Sequence, residues 1–137
     1  MKAKDFDAAF LPGGHGPMWD LSDNYELRLL LEDFYKHQKP IGSVCHGVAG
    51  LIPLRNEDGQ PIINGKNLTS FSNSEEELVG LTNVVPFLLE SELKNLGASY
   101  SKNDDFAPYI VKDGLLITGQ NPASSENAAK ELLNIIK

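Results

Sequence analysis

The residues best suited to chemistry surround the single cysteine of the chain, Cys45. Cys45 follows a short apolar segment, residues 41–44, and precedes a second one, residues 48–54. A nucleophile placed directly between a buried strand and a helix lies on a sharp turn that pushes its side chain out of the sheet. Small neighbours, Gly42 and Gly47, give this turn the room that it needs. The pattern therefore predicts a cysteine nucleophile at a strand-to-helix elbow.

His46 follows the cysteine directly and can serve as its base or its charge partner. The positive N-terminal end of the predicted helix favours the thiolate of Cys45. The opposing interpretation is that Cys45 is a small buried hydrophobic residue, which is common for lone cysteines. These residues alone leave both interpretations open.

A glycine-rich loop, residues 12–20, follows another short apolar segment, residues 8–11. Glycines after a strand let the backbone approach a ligand closely and present N–H groups as an oxyanion or phosphate cradle. Ligands bind at the carboxyl ends of the strands in parallel α/β sheets, so this loop and Cys45 are expected at the same edge. The loop lacks the G-x-G-x-x-G spacing of a dinucleotide site. We expect His15, within this loop, to be a surface residue of a tight turn.

Three consecutive acids, Glu75, Glu76 and Glu77, follow a strand candidate that ends at Phe71. One of them can orient the imidazole of His46. Acidic residues are equally ordinary in the first turn of a helix, where they complement its dipole. Without further information the second interpretation is favoured for all three.

The three histidines, His15, His37 and His46, show no metal-ligand spacing, and one cysteine cannot form a zinc knot. We therefore predict no metal site. His37 is expected near the C-terminal end of a helix, a favourable place for a surface imidazolium.

The composition is that of an ordinary globular protein of 137 residues, with 41% hydrophobic and 23% charged residues. The net charge of −7 argues against nucleic acid or an anionic membrane as a partner. No apolar run approaches the roughly 20 residues that span a bilayer. The charged opening, residues 1–7, does not resemble a signal peptide. We expect one domain, residues 1–137, in the cytoplasm, with its cysteine reduced.

Strand and helix patterns alternate along the chain, which predicts an α/β fold with a mostly parallel sheet. A helical face formed by Leu27, Leu30, Leu31 and Phe34 should end before Pro40. The other elements expected are strands at 61–64 and 67–71, a short helix at 75–78, a helix with Pro86 in its first turn and Gly97 as its cap, a hairpin over 109–117 and a final helix opened by 121–122.

Four stretches together resemble the ThiJ/PfpI superfamily, also described as class I glutamine amidotransferase-like. They are Ala9-Phe10-Leu11-Pro12-Gly13-Gly14-His15-Gly16, Val44-Cys45-His46-Gly47, Leu81-Thr82-Asn83-Val84-Val85-Pro86-Phe87-Leu88-Leu89-Glu90 and Leu116-Ile117-Thr118-Gly119-Gln120-Asn121-Pro122. The chain looks most similar to the branch of heat-shock chaperones with glyoxalase III activity.

The resemblance implies a flavodoxin-like three-layer sandwich and a cofactor-free enzyme, often dimeric, that converts methylglyoxal, a small dicarbonyl, into D-lactate. It implies that Cys45 attacks the aldehyde to give a hemithioacetal, with His46 and Glu76 completing a triad. The backbone N–H groups of Gly14 and His46 would form the oxyanion hole. Trp19, in the same loop, is the candidate for substrate binding.

The chain departs from the family pattern at its N-terminus. Family members have further strands and helices before the glycine-rich loop, and one early loop carries a glutamate beside the cysteine. Asp5 and Asp7 do not match that position. We therefore expect a family member without its N-terminal part, with reduced activity because a positioned acid or base is worth about 10²–10⁴-fold. The strand at 8–11 would then be an exposed apolar edge, covered by a missing segment or a second copy.

Two alternative functions remain. One is a cysteine hydrolase or amidase, since an elbow serves acyl transfer equally well. The other is a non-catalytic chaperone or redox sensor with an accessible, low-pKa cysteine.

Overall fold

The structure, a computed structural model, describes residues 2–136. The strands are β1 (Ala9–Leu11), β2 (Ile41–Val44), β3 (Asn67–Leu68), β4 (Ser99–Tyr100), β5 (Ile110–Asp113) and β6 (Leu116–Gly119). The α-helices are α1 (Pro17–Asp20), α2 (Tyr25–Lys36), α3 (Asn73–Leu78), α4 (Leu89–Asn95) and α5 (Ser125–Ile136). Short 3-10 helices cover Ala3–Asp5, Cys45–Leu51 and Pro122–Ser124.

The main sheet has four strands in the order β1-β2-β6-β5. β1, β2 and β6 run parallel, and β5 forms an antiparallel hairpin with β6. Gly114 turns this hairpin at a φ of 61°, a left-handed conformation that glycine adopts without strain. Within the described residues β1 pairs only with β2 and is therefore an edge strand, as predicted.

Apolar side chains fill the space on both faces of the sheet. On one face, Val44 and Ile117 pack against Ala128 and Leu132 of α5. On the other face, the larger core combines the sheet with α2 and α4. Its fully buried members include Met18, Leu31, Ile41, Leu51, Leu54, Ile63, Leu68, Leu89, Leu93 and Leu116. A mostly parallel sheet between two helical layers confirms the predicted flavodoxin-like α/β sandwich.

Helix α2 forms where the hydrophobic spacing predicts it. The side chain of Asn24 caps its start by accepting a hydrogen bond from the N–H group of Leu27. Leu31 and Phe34 are buried, and the helix ends at Lys36, before Pro40. The sequence therefore specifies both the extent and the inward face of this helix.

Several predicted elements differ in the structure. Residues 61–64 form a turn rather than a strand, because the carbonyl of Pro61 accepts the N–H of Asn64; only one isolated bridge links Pro61 to Arg55. Helix α4 begins at Leu89, so Pro86 precedes the helix instead of occupying its first turn.

The predicted strand at 67–71 is only two residues long. The N–H group of Thr69 leaves the strand ladder and donates to the hydroxyl of Thr118 on β6, 3.0 Å away. The segment after β3 thus contacts β6 through this hydrogen bond and then leads to the start of α3.

Candidate active site

Cys45 occupies a strained turn between β2 and the following 3-10 helix. Val44, the last residue of β2, is extended, whereas Cys45 has a φ of 57°. Positive φ is uncommon for residues other than glycine and often marks a functional position. The structure therefore confirms the predicted elbow, although a 3-10 helix starting at the cysteine replaces the helix expected over 48–54.

The backbone of the elbow packs closely against the glycine-rich loop. A methyl group added at Gly47 would lie 2.5 Å from the carbonyl oxygen of Leu11 and closer still to that of Pro12. One added at Gly13 would lie 3.0 Å from the Cβ of Cys45. Glycine at both positions is what lets the loop after β1 reach the cysteine.

Cys45, His46 and Glu76 form a hydrogen-bonded chain. The Sγ of Cys45 lies 3.4 Å from Nδ1 of His46, and Nε2 of His46 lies 2.6 Å from Oε2 of Glu76. All three residues are buried, with exposed fractions of 4%, 0% and 2%. The fold thus brings together the three residues named from the family resemblance.

The neighbouring acids have different surroundings. Glu75 is fully buried and accepts hydrogen bonds from the backbone and hydroxyl of Ser72, the N–H of Phe106 and the amide of Asn121. Glu77 is exposed and bonds Thr82. Of the three acids, Glu76 is the one bonded to His46.

His15 is the site residue that the sequence interpretation missed. Its Nε2 lies 2.7 Å from Oε1 of Glu76, and its ring centroid is 3.9 Å from that of His46. The expectation of a surface turn residue was therefore wrong, although 32% of its side chain remains exposed. The available signal was its place in the glycine-rich loop beside Gly14, a loop already expected at the same sheet edge as Cys45.

Burial raises the pKa of the Cys45 thiol from 9.0 to about 11. Hydrogen bonds from the backbone N–H groups of His46 and Gly14 oppose this effect, and the charges of Glu75 and Glu76 add to it. The expected preference for thiolate at this helix start is thus outweighed by desolvation. The same two N–H groups are the donors proposed for an oxyanion hole, and they do face the sulfur.

The raised pKa predicts slow alkylation of Cys45 at neutral pH. With a pKa of about 11, only about one thiol in several thousand is ionised at pH 7.5. Because thiolate is the reactive species, the rate with iodoacetamide should rise roughly tenfold per pH unit up to about pH 10. Mass spectrometry of the single cysteine over time measures this rate. A rate that is already at its plateau at pH 7 would contradict the prediction.

His46 is a neutral imidazole at neutral pH. Burial lowers its pKa, and the hydrogen bond and charge of Glu76 only partly oppose that shift. Since the Glu76 carboxylate accepts a hydrogen bond, Nε2 carries the ring proton and Nδ1 is free to accept the proton of the thiol. The arrangement suits a general base that acts as the sulfur attacks.

Aromatic rings lie around the histidines. The ring of Phe71 is 4.4 Å from His46 and 5.8 Å from Phe106, measured between centroids. Phe106 has a φ of 62° and is 41% exposed. Trp19 lies on α1 with 49% of its surface exposed, and its role in substrate binding stays a prediction.

Three clefts in the described part of the chain do not include Cys45 in their walls. Two of them, about 930 and 850 Å³, lie along α2 on the side of Asp33. A smaller one, about 310 Å³, adjoins the glycine-rich loop between Pro12 and Asp20. The chemistry of the Cys45 cluster, rather than cleft size, identifies the candidate site.

Three side chains whose spacing in the sequence gave no sign of a metal site carry the kinds of ligand atom that bind metals and lie close together in the structure. Ligand atoms of His15, His46 and Glu76 lie within 4.8 Å of one another. Each carboxylate oxygen of Glu76 already has one imidazole partner at hydrogen-bond distance. This bonding accounts for the cluster without an ion. Separately, no helix in the described part of the chain is long and apolar enough to cross a membrane.

Comparisons with known proteins give a consistent result. A model of the DJ-1/PfpI family matches residues 1–135. Glutathione-independent glyoxalase HSP31 of Saccharomyces cerevisiae is 29% identical over 143 residues, which covers 100% of this chain and 60% of that protein. The chain thus spans about three fifths of the length of this relative.

Solved structures agree. The Rapid Encystment Protein 24 KDa of Francisella tularensis superposes with a TM-score of 0.97 at 42% identity, over 100% of this chain and 61% of that one. Glyoxalase III of Candida albicans superposes with a TM-score of 0.93 at 26% identity, over 100% and 60%.

Proposed function

Because the chain belongs to the DJ-1/PfpI family, we propose that it is a cysteine-dependent enzyme of the glyoxalase III type. In this proposal it converts methylglyoxal and water into D-lactate without a cofactor. The observation that carries the proposal is the chain of contacts from the Cys45 sulfur through His46 to Glu76, with the Gly14 N–H facing the sulfur. Relatives named as glyoxalases support the substrate class.

The first step is addition of the sulfur to the aldehyde carbon. The S–H bond of Cys45 breaks as its proton passes to Nδ1 of His46, and a carbon–sulfur bond forms. The aldehyde oxygen becomes an oxyanion that the N–H groups of Gly14 and His46 can bind. Glu76 stabilises the resulting imidazolium through its bond to Nε2. A thiol that stays protonated until a base removes its proton is consistent with the raised pKa of Cys45.

The remaining steps complete the balance of atoms. Protonation of the oxyanion gives the hemithioacetal, and transfer of a proton from its C1 to C2 gives an enzyme-bound thioester. Hydrolysis of the thioester then releases lactate and returns the thiol of Cys45. One water is consumed for each methylglyoxal, and no electron acceptor is required.

The direct test is D-lactate formation from methylglyoxal by the purified chain, measured with an enantiomer-specific assay. We expect turnover by the wild type and none above background by Cys45→Ala and Cys45→Ser, since both variants lack the attacking sulfur. Both should unfold at the wild-type temperature within a few degrees. A folded wild type without turnover would refute the proposal for this chain. Release of ammonia or amine from amide substrates would favour the hydrolase alternative instead.

The redox-sensor alternative is not favoured by the site. A sensor cysteine is accessible and has a low pKa, so that it is thiolate at neutral pH. Cys45 is 4% exposed, and burial raises its pKa. Both properties slow its oxidation and suit a general-base mechanism better.

A further inference from the structure

We propose that His15 is a positioning residue of this site, acting through Glu76 to hold the carboxylate that in turn holds His46. The kinetic part of this inference rests on the proposed function. The geometric part does not, because the arrangement of the three side chains also governs how readily Cys45 loses its proton.

The carboxylate of Glu76 is divided between two imidazoles. Its Oε1 lies 2.7 Å from Nε2 of His15, and its Oε2 lies 2.6 Å from Nε2 of His46. The Glu76 side chain is only 3% exposed, so water has little access to replace either partner. With both oxygens bonded, the carboxylate plane is fixed. With one bond removed, the carboxylate can rotate about its last torsion and Oε2 loses its alignment on His46.

The loop that carries His15 is itself tied to the nucleophile. Gly14, the preceding residue, has a φ of 94° and directs its N–H at the Cys45 sulfur. The carbonyl of His15 accepts the N–H of Met18, which anchors the loop on α1. One loop therefore contacts the site at both ends, at the sulfur through a backbone donor and at Glu76 through an imidazole.

His15 is also the member of the cluster that solvent reaches. Its side chain is 32% exposed, against 0% for His46. The titratable groups around it are Glu76 on α3, His46 at the elbow, and Asp20 on α1, which approaches the adjacent Gly16. A positive charge on His15 lowers the pKa of His46.

The test uses substitutions that separate the hydrogen bond from the ring. In His15→Gln the amide N–H can occupy the place of the imidazole N–H and reach Oε1 without a titratable charge. In His15→Leu no donor is present, and in His15→Asn the amide is too short to reach. We expect His15→Leu and His15→Asn to lower kcat about 10–100-fold with KM within about threefold, by analogy with the loss of outer hydrogen-bond partners of metal-ligating histidines. The kcat of His15→Gln should stay within about threefold of the wild-type value.

Rescue by His15→Gln is a readout that a merely structural role of the imidazole ring would not produce. Glutamine restores the hydrogen bond to Oε1 of Glu76 but not the packing of the ring. His37→Gln is the matched control, since His37 lies exposed at the C-terminal end of α2 beside Asp33. This variant should leave kcat and KM unchanged.

A second measurement does not require turnover. The rate of Cys45 alkylation by iodoacetamide at pH 8 should fall in His15→Leu and His15→Asn and be retained in His15→Gln. If no glyoxalase turnover exists, this measurement still tests the role of His15. The proposal would be overturned if folded His15→Leu and His15→Asn were alkylated at the wild-type rate. It would also be overturned if the alkylation rate fell as much in His15→Gln as in His15→Leu, because the hydrogen bond would then not be the cause.

Discussion

Replacing Glu76 with glutamine is expected to lower kcat for the proposed reaction by about 10²–10⁴-fold. The carboxylate accepts a hydrogen bond at each oxygen, whereas glutamine has one acceptor and one donor. If the new N–H group faces His46, Nε2 must lose its proton and Nδ1 must carry it. Nδ1 then cannot take the proton of Cys45. The wrong tautomer of the base has a comparable effect in the serine protease triad.

A second effect of Glu76→Gln has the opposite sign but is smaller. Removing the charge of Glu76 lowers the pKa of Cys45, but that charge is the weakest of the contributions to the shift, well below desolvation. We therefore expect the loss of the base to dominate. Glu77→Gln is the matched control, because Glu77 is exposed and bonds only Thr82 among the described residues. Steady-state kinetics of the two variants test this prediction. Equal kcat values for Glu76→Gln and Glu77→Gln would contradict the role of Glu76 as the partner of His46.

Replacing Gly47 with alanine is expected to destabilise the protein by about 3 kcal/mol or more. The added methyl group would lie within 2.5 Å of two backbone carbonyl oxygens, those of Leu11 and Pro12. Backbone cannot move aside as a flexible side chain can. The elbow and the end of β1 would have to separate, which also withdraws the Gly14 N–H from the sulfur.

Thermal unfolding measures this effect. A loss of 3 kcal/mol in a domain of this size corresponds to a fall in Tm of roughly 10 °C. Gly16→Ala is the control, since Gly16 has helical φ and ψ and its nearest neighbour would be Asp20 Oδ2 at 3.8 Å. Equal Tm values for the two variants would show that the loop and the elbow are not packed as described.

The sequence predicted correctly those helices and turns that are determined by residues close together in the chain. The cap at Asn24 and the spacing of Leu31 and Phe34 specify α2, and the turn at Gly114 specifies the β5–β6 hairpin. Residues 61–64 were misassigned because their apolar side chains are buried by tertiary contacts while the backbone makes a turn. Burial and backbone conformation are separate properties, and a short apolar run reports only the first.

In the candidate site, too, some features follow from neighbouring residues and others only from tertiary contacts. The elbow at Cys45 follows from its place between two apolar segments. Glu75 and Glu76 are adjacent in sequence, and only the orientation of α3 decides which of them reaches His46. His15 reaches Glu76 across 61 positions, a contact that no spacing rule contains. The expectations of a homodimer and a missing N-terminal segment stay predictions.

The positive φ at Cys45 lowers the stability of the folded protein at the residue that the proposed chemistry requires. A non-glycine residue in the left-handed region is held there at a cost of about 1–2 kcal/mol. Glycine would relieve that strain, and the chain would then fold more securely while losing its only sulfur nucleophile. Under the proposed function, this strain is therefore the energetic cost of holding the sulfur at the carboxyl end of β2.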